Sequence, residues 1–142
     1  MFRAVMNLHG GAEVAPPKDV VYFEADAELK SGTVVIVDNA DDSKVKAAGD
    51  TTSDAMGILV NDVEAGDDAR IAYILPGQIF KAPIDGNVEN DFGPGFVGAQ
   101  LSDDGKKVDG NGTNDAGPLT VLYVDDDEDY AWVVFNECAL AQ

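Results

Sequence analysis

The chain has 142 residues, 45% of them hydrophobic, and its 27 acidic and nine basic residues give a net charge of −18. This length suffices for one domain with a hydrophobic core, and the hydrophobic content is too high for a disordered chain. An acidic surface repels phosphate backbones and anionic lipid head groups, so we expect neither nucleic acid nor membrane as a partner. No apolar run approaches the roughly 20 residues of a membrane span, and the first residues are too short and too polar for a signal peptide, so we expect neither feature.

The N-terminal region is predicted to differ from the rest of the chain. Gly10-Gly11 and Pro16-Pro17 interrupt any helix there, so we predict an extended arm over residues 1–30. Residues 1–18 carry two basic residues against one acidic residue, whereas the chain as a whole is strongly acidic. The predicted organisation is therefore an arm followed by a single β domain over residues 31–142.

Short apolar runs alternate with turn-forming residues along most of the chain. Strands are predicted from their β-branched and aromatic residues at 20–23, 33–37, 44–47, 56–60, 69–75, 79–84, 96–101, 107–108, 119–124 and 130–135. A hairpin turn is predicted at 103–105, a stretch rich in Gly, Asn, Asp and Pro runs over 85–95, and 24–30 has room for at most two helical turns. This spacing indicates an all-β fold, either a small β-barrel or a β-tulip-like domain.

The last predicted strand is apolar on both of its faces. One face carries Ala131, Val133 and Phe135, and the other carries Tyr130, Trp132 and Val134. Such a strand is typically covered on both sides, and a small barrel supplies only one cover. We therefore predict that a neighbouring subunit covers the second face, and that the subunit-interface residues are Tyr130, Trp132 and Val134.

The residue types needed for catalysis are scarce. Nucleophilic catalysis requires a base beside the nucleophile, and zinc sites require clusters of Cys and His. The chain has one histidine, His9, and one cysteine, Cys138, far apart in sequence. We predict that the protein is not an enzyme and has no catalytic residues.

A calcium loop is the one cofactor site that the sequence suggests. Oxygen-bearing side chains alternate as in the first half of an EF-hand loop, at positions Asp109, Asn111, Thr113 and Asp115. The pattern then departs from an EF-hand, because the sixth position is Asn114 rather than Gly and the twelfth is Thr120 rather than Glu. Ordinary turn chemistry explains the same residues, so Ca²⁺ and an ion-free turn both stay open. The acidic run at 125–129 likewise needs either a counter-ion or full solvation.

Four segments of the chain carry a family resemblance. They are G-T-V-V-I-V at 32–37, A-M-G-I-L-V-N-D-V at 55–63, A-G-D-D-A-R-I-A-Y at 65–73 and P-G-Q-I-F at 76–80. Together they resemble the head-decoration and capsid-cement proteins of tailed phages, over a little more than a third of the chain. The C-terminal third is longer and more acidic than a minimal cement protein needs.

The resemblance implies a virion structural protein of a bacterial or archaeal tailed virus, made in the host cytoplasm and bound to the outer capsid surface. It implies a homotrimer that stabilises the head by contacting the major capsid protein. The N-terminal arm is then expected to add a strand to the capsid protein through main-chain hydrogen bonds. The capsid-contact residues expected in the arm are Phe2, Arg3, Val5, Met6 and Leu8.

Two other functions are compatible with the sequence. One is a calcium- or salt-dependent β-sandwich binding module, such as a carbohydrate-binding module, from a saline organism, where acidic surfaces are common. The other is a small hydrolase, which requires converging carboxylates in a pocket.

Overall fold

A computed structural model describes residues 2–7, 21–38, 41–49, 57–75 and 77–136 of the chain. These residues form β-strands and connecting turns without a helix, which confirms the predicted all-β class with a barrel. In these ranges, therefore, no helical segment has the length and apolarity to cross a bilayer.

The described residues form eleven strands. They are β1 (Arg3–Asn7), β2 (Val21–Ala25), β3 (Val34–Asp38), β4 (Asp41–Ala47), β5 (Gly57–Leu59), β6 (Asp68–Tyr73), β7 (Gln78–Glu89), β8 (Val97–Ala99), β9 (Val108–Asn111), β10 (Leu119–Asp125) and β11 (Tyr130–Phe135).

Five of these strands close into a barrel in the order β2-β4-β3-β5-β6. All neighbours in the barrel are antiparallel except β2 and β4, which run parallel, and β6 closes the ring by pairing with β2. Alternate side chains point inward and form a core of Ala25, Leu29, Val35, Val45, Leu59, Val63, Ala69 and Ile71. Closure gives each barrel strand a neighbour on both sides, so this part of the fold satisfies its own backbone.

The other six strands form an open sheet with β7 near one end. The order is β1-β7-β11-β10-β8, and β9 pairs in parallel with the second half of β7. The hairpin of β10 and β11 is joined by the acidic turn at 125–129, and both strands and the turn agree with the sequence prediction.

The barrel and the sheet share a hydrophobic core. Val34 of β3 and Ile58 of β5 belong to the same buried cluster as Phe80, Leu119 and Val133 of the sheet. The loop between β8 and β9 adds a backbone connection, because the amide of Val34 donates a hydrogen bond to the carbonyl of Gly105 (2.9 Å). A Cβ on Gly105 would lie 2.8 Å from the Val34 carbonyl oxygen, and its φ of +71° also favours glycine. Barrel and sheet are therefore packed as one body.

The described parts of the predicted arm are built into this body. β1 pairs with β7, and Phe2 is buried against Phe80 and Phe135 with its amide donating to the carbonyl of Gly32 (3.2 Å). β2 is a barrel strand. For residues 2–7 and 21–30, this corrects the expectation of an arm over 1–30 separate from a domain over 31–142, while residues 8–20 lie outside the described residues. The physical reason is that burial of the apolar Phe2 side chain is favourable, and that pairing with β7 satisfies backbone hydrogen-bonding groups of β1.

The structure adds detail in two segments. No helical turn is present within 24–30, which agrees with the upper limit of two turns, and Leu29 forms an antiparallel bridge with Val63. In the Gly-, Asn-, Asp- and Pro-rich stretch at 85–95, β7 continues to Glu89 through its pairing with β9. The hairpin predicted around 103–105 is present as the bridge between Leu101 and Val108, although β9 takes its main partner from β7.

Candidate binding surface on the six-stranded sheet

The two faces of β11 have different surroundings. Ala131 and Val133 are fully buried in the shared core, whereas Tyr130, Trp132 and Val134 on the opposite face are half-buried. The alternation predicted from the sequence is thus confirmed, and the structure brings the three predicted interface residues together on the side away from the core.

The register of the sheet places further side chains on this side. Trp132 lies between Tyr123 of β10 and Lys81 of β7, and Lys81 lies opposite Arg3 of β1. Tyr123 is 45% exposed. We call the side chains Tyr123, Tyr130, Trp132 and Val134 the outer aromatic face.

The rings of the outer aromatic face contact one another at an angle. The centroids of Tyr123 and Trp132 are 5.8 Å apart with an interplanar angle of 64°, and those of Tyr123 and Tyr130 are 6.1 Å apart at 49°. Edge-to-face and tilted contacts of this kind are favourable for aromatic rings. The rings therefore stabilise one another in a ridge rather than forming a flat platform.

The indole nitrogen of Trp132 has an unusual environment. Nε1 is buried, yet no hydrogen-bond acceptor for it is present among the described residues. A buried indole N–H normally has a partner, and leaving it without one costs about 1–3 kcal/mol. The position of this ring is thus set by its apolar and aromatic contacts.

A cleft of about 610 Å³ lies beside the outer aromatic face, at the end of the sheet. Its lining includes Arg3, Lys81, Pro83, Glu128, Asp129 and Tyr130. The ammonium nitrogen of Lys81 lies 4.1 Å from the centroid of the Tyr130 ring, a cation–π contact. Desolvation, together with the neighbouring Tyr123 and Asp125, raises the pKa of the Tyr130 hydroxyl above its ordinary value.

In the comparison with known proteins, no protein-family model matches the chain, and a search of curated proteins finds no significant match.

The turn after β10 forms the acidic wall of the cleft. The amide of Glu128 donates to Asp125 Oδ1 (3.0 Å), and the amide of Ile84 in β7 donates to the carbonyl of Asp129 (2.9 Å). Asp129 has a φ of +54°, a left-handed conformation that Asp tolerates better than most residues. These contacts hold the turn against β7, so Glu128 and Asp129 line the same cleft as Lys81.

The candidate calcium loop holds itself together by hydrogen bonds. Asp109 accepts from the amide of Asn111 (2.9 Å) and from Asn114 Nδ2 (2.7 Å). Asn111 Oδ1 accepts from the amide of Thr113 (3.0 Å), the Thr113 hydroxyl (2.9 Å) and Asn90 Nδ2 (2.8 Å). The described residues contain no group of three or more His, Cys, Asp or Glu arranged around one metal position. The oxygens of Asp109 and Asn111 therefore have a structural role in this turn, and Ca²⁺ binding at Asp109, Asn111, Thr113 and Asp115 stays a prediction.

The predicted capsid-contact residues are divided among different places. Phe2 is in the core, which corrects its expected position on a partner-facing surface. Arg3 is exposed at the cleft, and Val5 and Met6 lie in β1. Leu8 lies outside the described residues, as do His9 and Cys138.

The sequence analysis did not identify Lys81 and Tyr123 as residues on the outer side of the sheet. Lys81 interrupts an otherwise apolar run, and a charge at an alternate position of a strand is a sign that this position points away from the core. Tyr123 gave no such sign, because an irregularity between Val121 and Tyr123 shifts the alternation along β10.

Proposed function

We propose that the protein is a structural subunit of a virion, a decoration protein bound to the outer surface of a tailed-virus capsid. The observation that carries the proposal is the outer aromatic face, where three aromatic rings are fixed on the central part of a rigid sheet yet remain partly exposed. The resemblance of residues 31–84 to capsid-cement proteins gives the class of partner, the major capsid protein, and a homotrimeric arrangement.

The composition of the outer aromatic face suits a protein interface. Tyr and Trp are the residues most enriched among those that dominate binding energy, because they offer large contact areas at low entropic cost. Val97 of β8, at the far edge of the same sheet, is 64% exposed and extends the apolar surface. A partner covering this side would remove all of these groups from water.

The distribution of charge supports one orientation on a capsid. A groove on the barrel is lined mainly by acidic residues, namely Glu28, Asp62, Glu64, Asp67 and Asp68. The cleft on the sheet side presents two basic residues, Arg3 and Lys81, beside the acidic residues Glu128 and Asp129. With the sheet bound to the capsid, the acidic barrel would face solvent and repel neighbouring particles.

Substitution on the outer aromatic face tests this proposal. We expect Tyr123→Ser to weaken both self-association and binding to capsids at least tenfold, since central aromatic anchors typically contribute about 2 kcal/mol or more. Leu75→Ser is the matched control, because Leu75 is 48% exposed and follows the barrel strand β6. Co-sedimentation with virus particles measures capsid binding, and analytical ultracentrifugation measures self-association.

The two readouts separate the parts of the proposal. Failure of the wild-type protein to sediment with particles contradicts the capsid role, whatever its oligomeric state. Equal losses for Tyr123→Ser and Leu75→Ser would show that the outer aromatic face is not the contact surface.

A further inference from the structure

Neither basic residue of the cleft has a salt-bridge partner among the described residues. Among the described residues, the salt bridges join Lys30 to Glu28 and Lys44 to Glu24, so neither involves Arg3 or Lys81. Arg3 and Lys81 are also register partners on adjacent antiparallel strands. Like charges placed directly opposite each other destabilise a sheet, and an anion bound between them would remove this cost.

The opposite wall of the cleft has the complementary chemistry. Glu128 and Asp129 are exposed carboxylates that act only as hydrogen-bond acceptors when ionised. The anchored turn fixes their backbone at one side of the cleft. Pro83 and Tyr130 supply apolar surface between the two walls.

We propose that this cleft binds an acidic monosaccharide of the hexuronate class. The carboxylate of the sugar pairs with Arg3 and Lys81, its hydroxyls donate hydrogen bonds to Glu128 and Asp129, and its ring packs against Pro83 and Tyr130. A neutral sugar lacks the group that the basic pair recognises, and a simple carboxylate lacks the hydroxyls that satisfy the acidic wall. The cleft volume of about 610 Å³ lies within the 300–1,000 Å³ that is typical of small-molecule sites.

This site does not depend on a role in a capsid. It uses β1, the first half of β7 and the 125–129 turn of a single chain, and its ligand is a small molecule rather than a neighbouring subunit. The proposal therefore survives or fails separately from the proposed function.

The test is a titration of the isotope-labelled full-length protein followed by amide NMR shifts, with sodium glucuronate, glucose, sodium acetate and inorganic phosphate at matched ionic strength. We expect glucuronate to shift the amides around residues 81–84 and 128–130, and to bind at least about tenfold more tightly than the other three compounds. Lys81→Gln and Arg3→Gln should each weaken glucuronate binding about tenfold. Lys107→Gln, a charge-matched change in a different surface groove, should leave binding unchanged.

Several results would overturn the proposal. Acetate or phosphate binding as tightly as glucuronate would show a simple anion site, and glucose binding as tightly would show that the basic pair is not used. The absence of shifts around residues 81–84 and 128–130, or equal weakening by Lys107→Gln, would show that the cleft is not the site. The NMR spectrum also reports whether each variant is folded, so the comparison uses whichever of Lys81→Gln and Arg3→Gln keeps the native dispersion of amide signals. Unchanged glucuronate binding by that folded variant also contradicts the proposal.

Discussion

The barrel and the open sheet differ in how they pair their outermost strands and in how they cover their apolar side chains. In the barrel, β2 and β6 pair with each other, so the ring has no terminal strand and its apolar side chains fill the interior. In the sheet, β1 and β8 lie at opposite ends and the outer aromatic face is only half-buried. The barrel therefore pairs all of its strands within itself, whereas the sheet leaves part of its outer side exposed.

The two regions also differ in charge. The groove on the barrel is lined by five acidic residues and one lysine, whereas the cleft on the sheet combines two basic residues with an acidic wall. In a chain with a net charge of −18, the cleft on the sheet is lined by two basic residues, Arg3 and Lys81. The basic residues of the cleft and the exposed aromatic side chains therefore lie on the same side of the sheet.

The largest effect is expected from matched truncations in the two regions. Leu59→Ala in the barrel core and Leu119→Ala on the inner side of the sheet each remove a side chain that is at most 1% exposed. We expect each to lower the free energy of unfolding by about 2–5 kcal/mol. Because Val34 and Ile58 of the barrel belong to the sheet's core cluster, both variants should unfold in a single transition.

Urea denaturation followed by two signals checks this expectation. Circular dichroism reports all strands, while tryptophan fluorescence reports only Trp132 on the sheet, the single tryptophan of the chain. If Leu59→Ala separates the two curves, the barrel unfolds independently, and the idea of one shared body fails.

A smaller effect is expected on the outer aromatic face. Trp132→Ala should cost about 1–3 kcal/mol, less than for a fully buried tryptophan, because the side chain is only half-buried. Trp132→Phe should stay within about 0.5 kcal/mol of the wild type or be more stable, since it removes a buried N–H that has no acceptor among the described residues. Thermal unfolding of the three proteins gives the comparison. If Trp132→Phe lowers the free energy of unfolding by about 2 kcal/mol or more, the indole N–H has a hydrogen-bond partner. A loss of this size is typical of a hydrogen bond to a charged group.

The smallest effect concerns Asp104, in the loop between β8 and β9 that is hydrogen-bonded to barrel strand β3. Burial raises the pKa of Asp104, but the hydrogen bonds from the Ser102 hydroxyl and the Lys106 amide, with the charge of Lys106, outweigh it and leave the pKa below its ordinary value. A carboxyl whose folded pKa is lowered stabilises the fold above its unfolded pKa of about 3.9, and that stabilisation is lost as the pH falls through the folded pKa.

Asp104→Asn should therefore reduce stability by less than about 1 kcal/mol at neutral pH, since the group is exposed and screened by solvent. The difference from the wild type should vanish in strong acid. Unfolding measured from pH 6 down to pH 2 tests this, with Asp103→Asn as a control that removes the same charge but not the hydrogen bond from Ser102. A difference that persists at the lowest pH would contradict the electrostatic explanation.

Much of the fold follows from local patterns in the sequence. The runs that became β3, β6, β10 and β11 are rich in β-branched and aromatic residues, and the acidic turn at 125–129 separates the last two. The half-buried face of β11 was predicted from the alternation of its side chains. These features depend on neighbours in the chain, which a single sequence displays directly.

The remaining features depend on pairing between distant residues. The parallel pairing of β2 with β4 and of β7 with β9 has no recognisable local sequence pattern. Pairing with β9 extends β7 beyond Gly86, whose φ is +75°. The burial of Phe2 likewise requires Phe80 and Phe135 from strands far along the chain. The cleft combines β1, β7 and the 125–129 turn, so its residues appear unrelated in the sequence.

The pairing of β1 with β7 has a consequence for biosynthesis. β1 leaves the ribosome before every other described strand, yet its partners are residues 78–81, and the ring of Phe135 that covers Phe2 is made later still. During translation the barrel strands β2 to β6 can associate first, while Phe2 stays exposed to solvent or to a chaperone. Contacts so distant in sequence form slowly, so completion of the sheet is expected to be the last and most aggregation-prone step in maturation of the nascent chain.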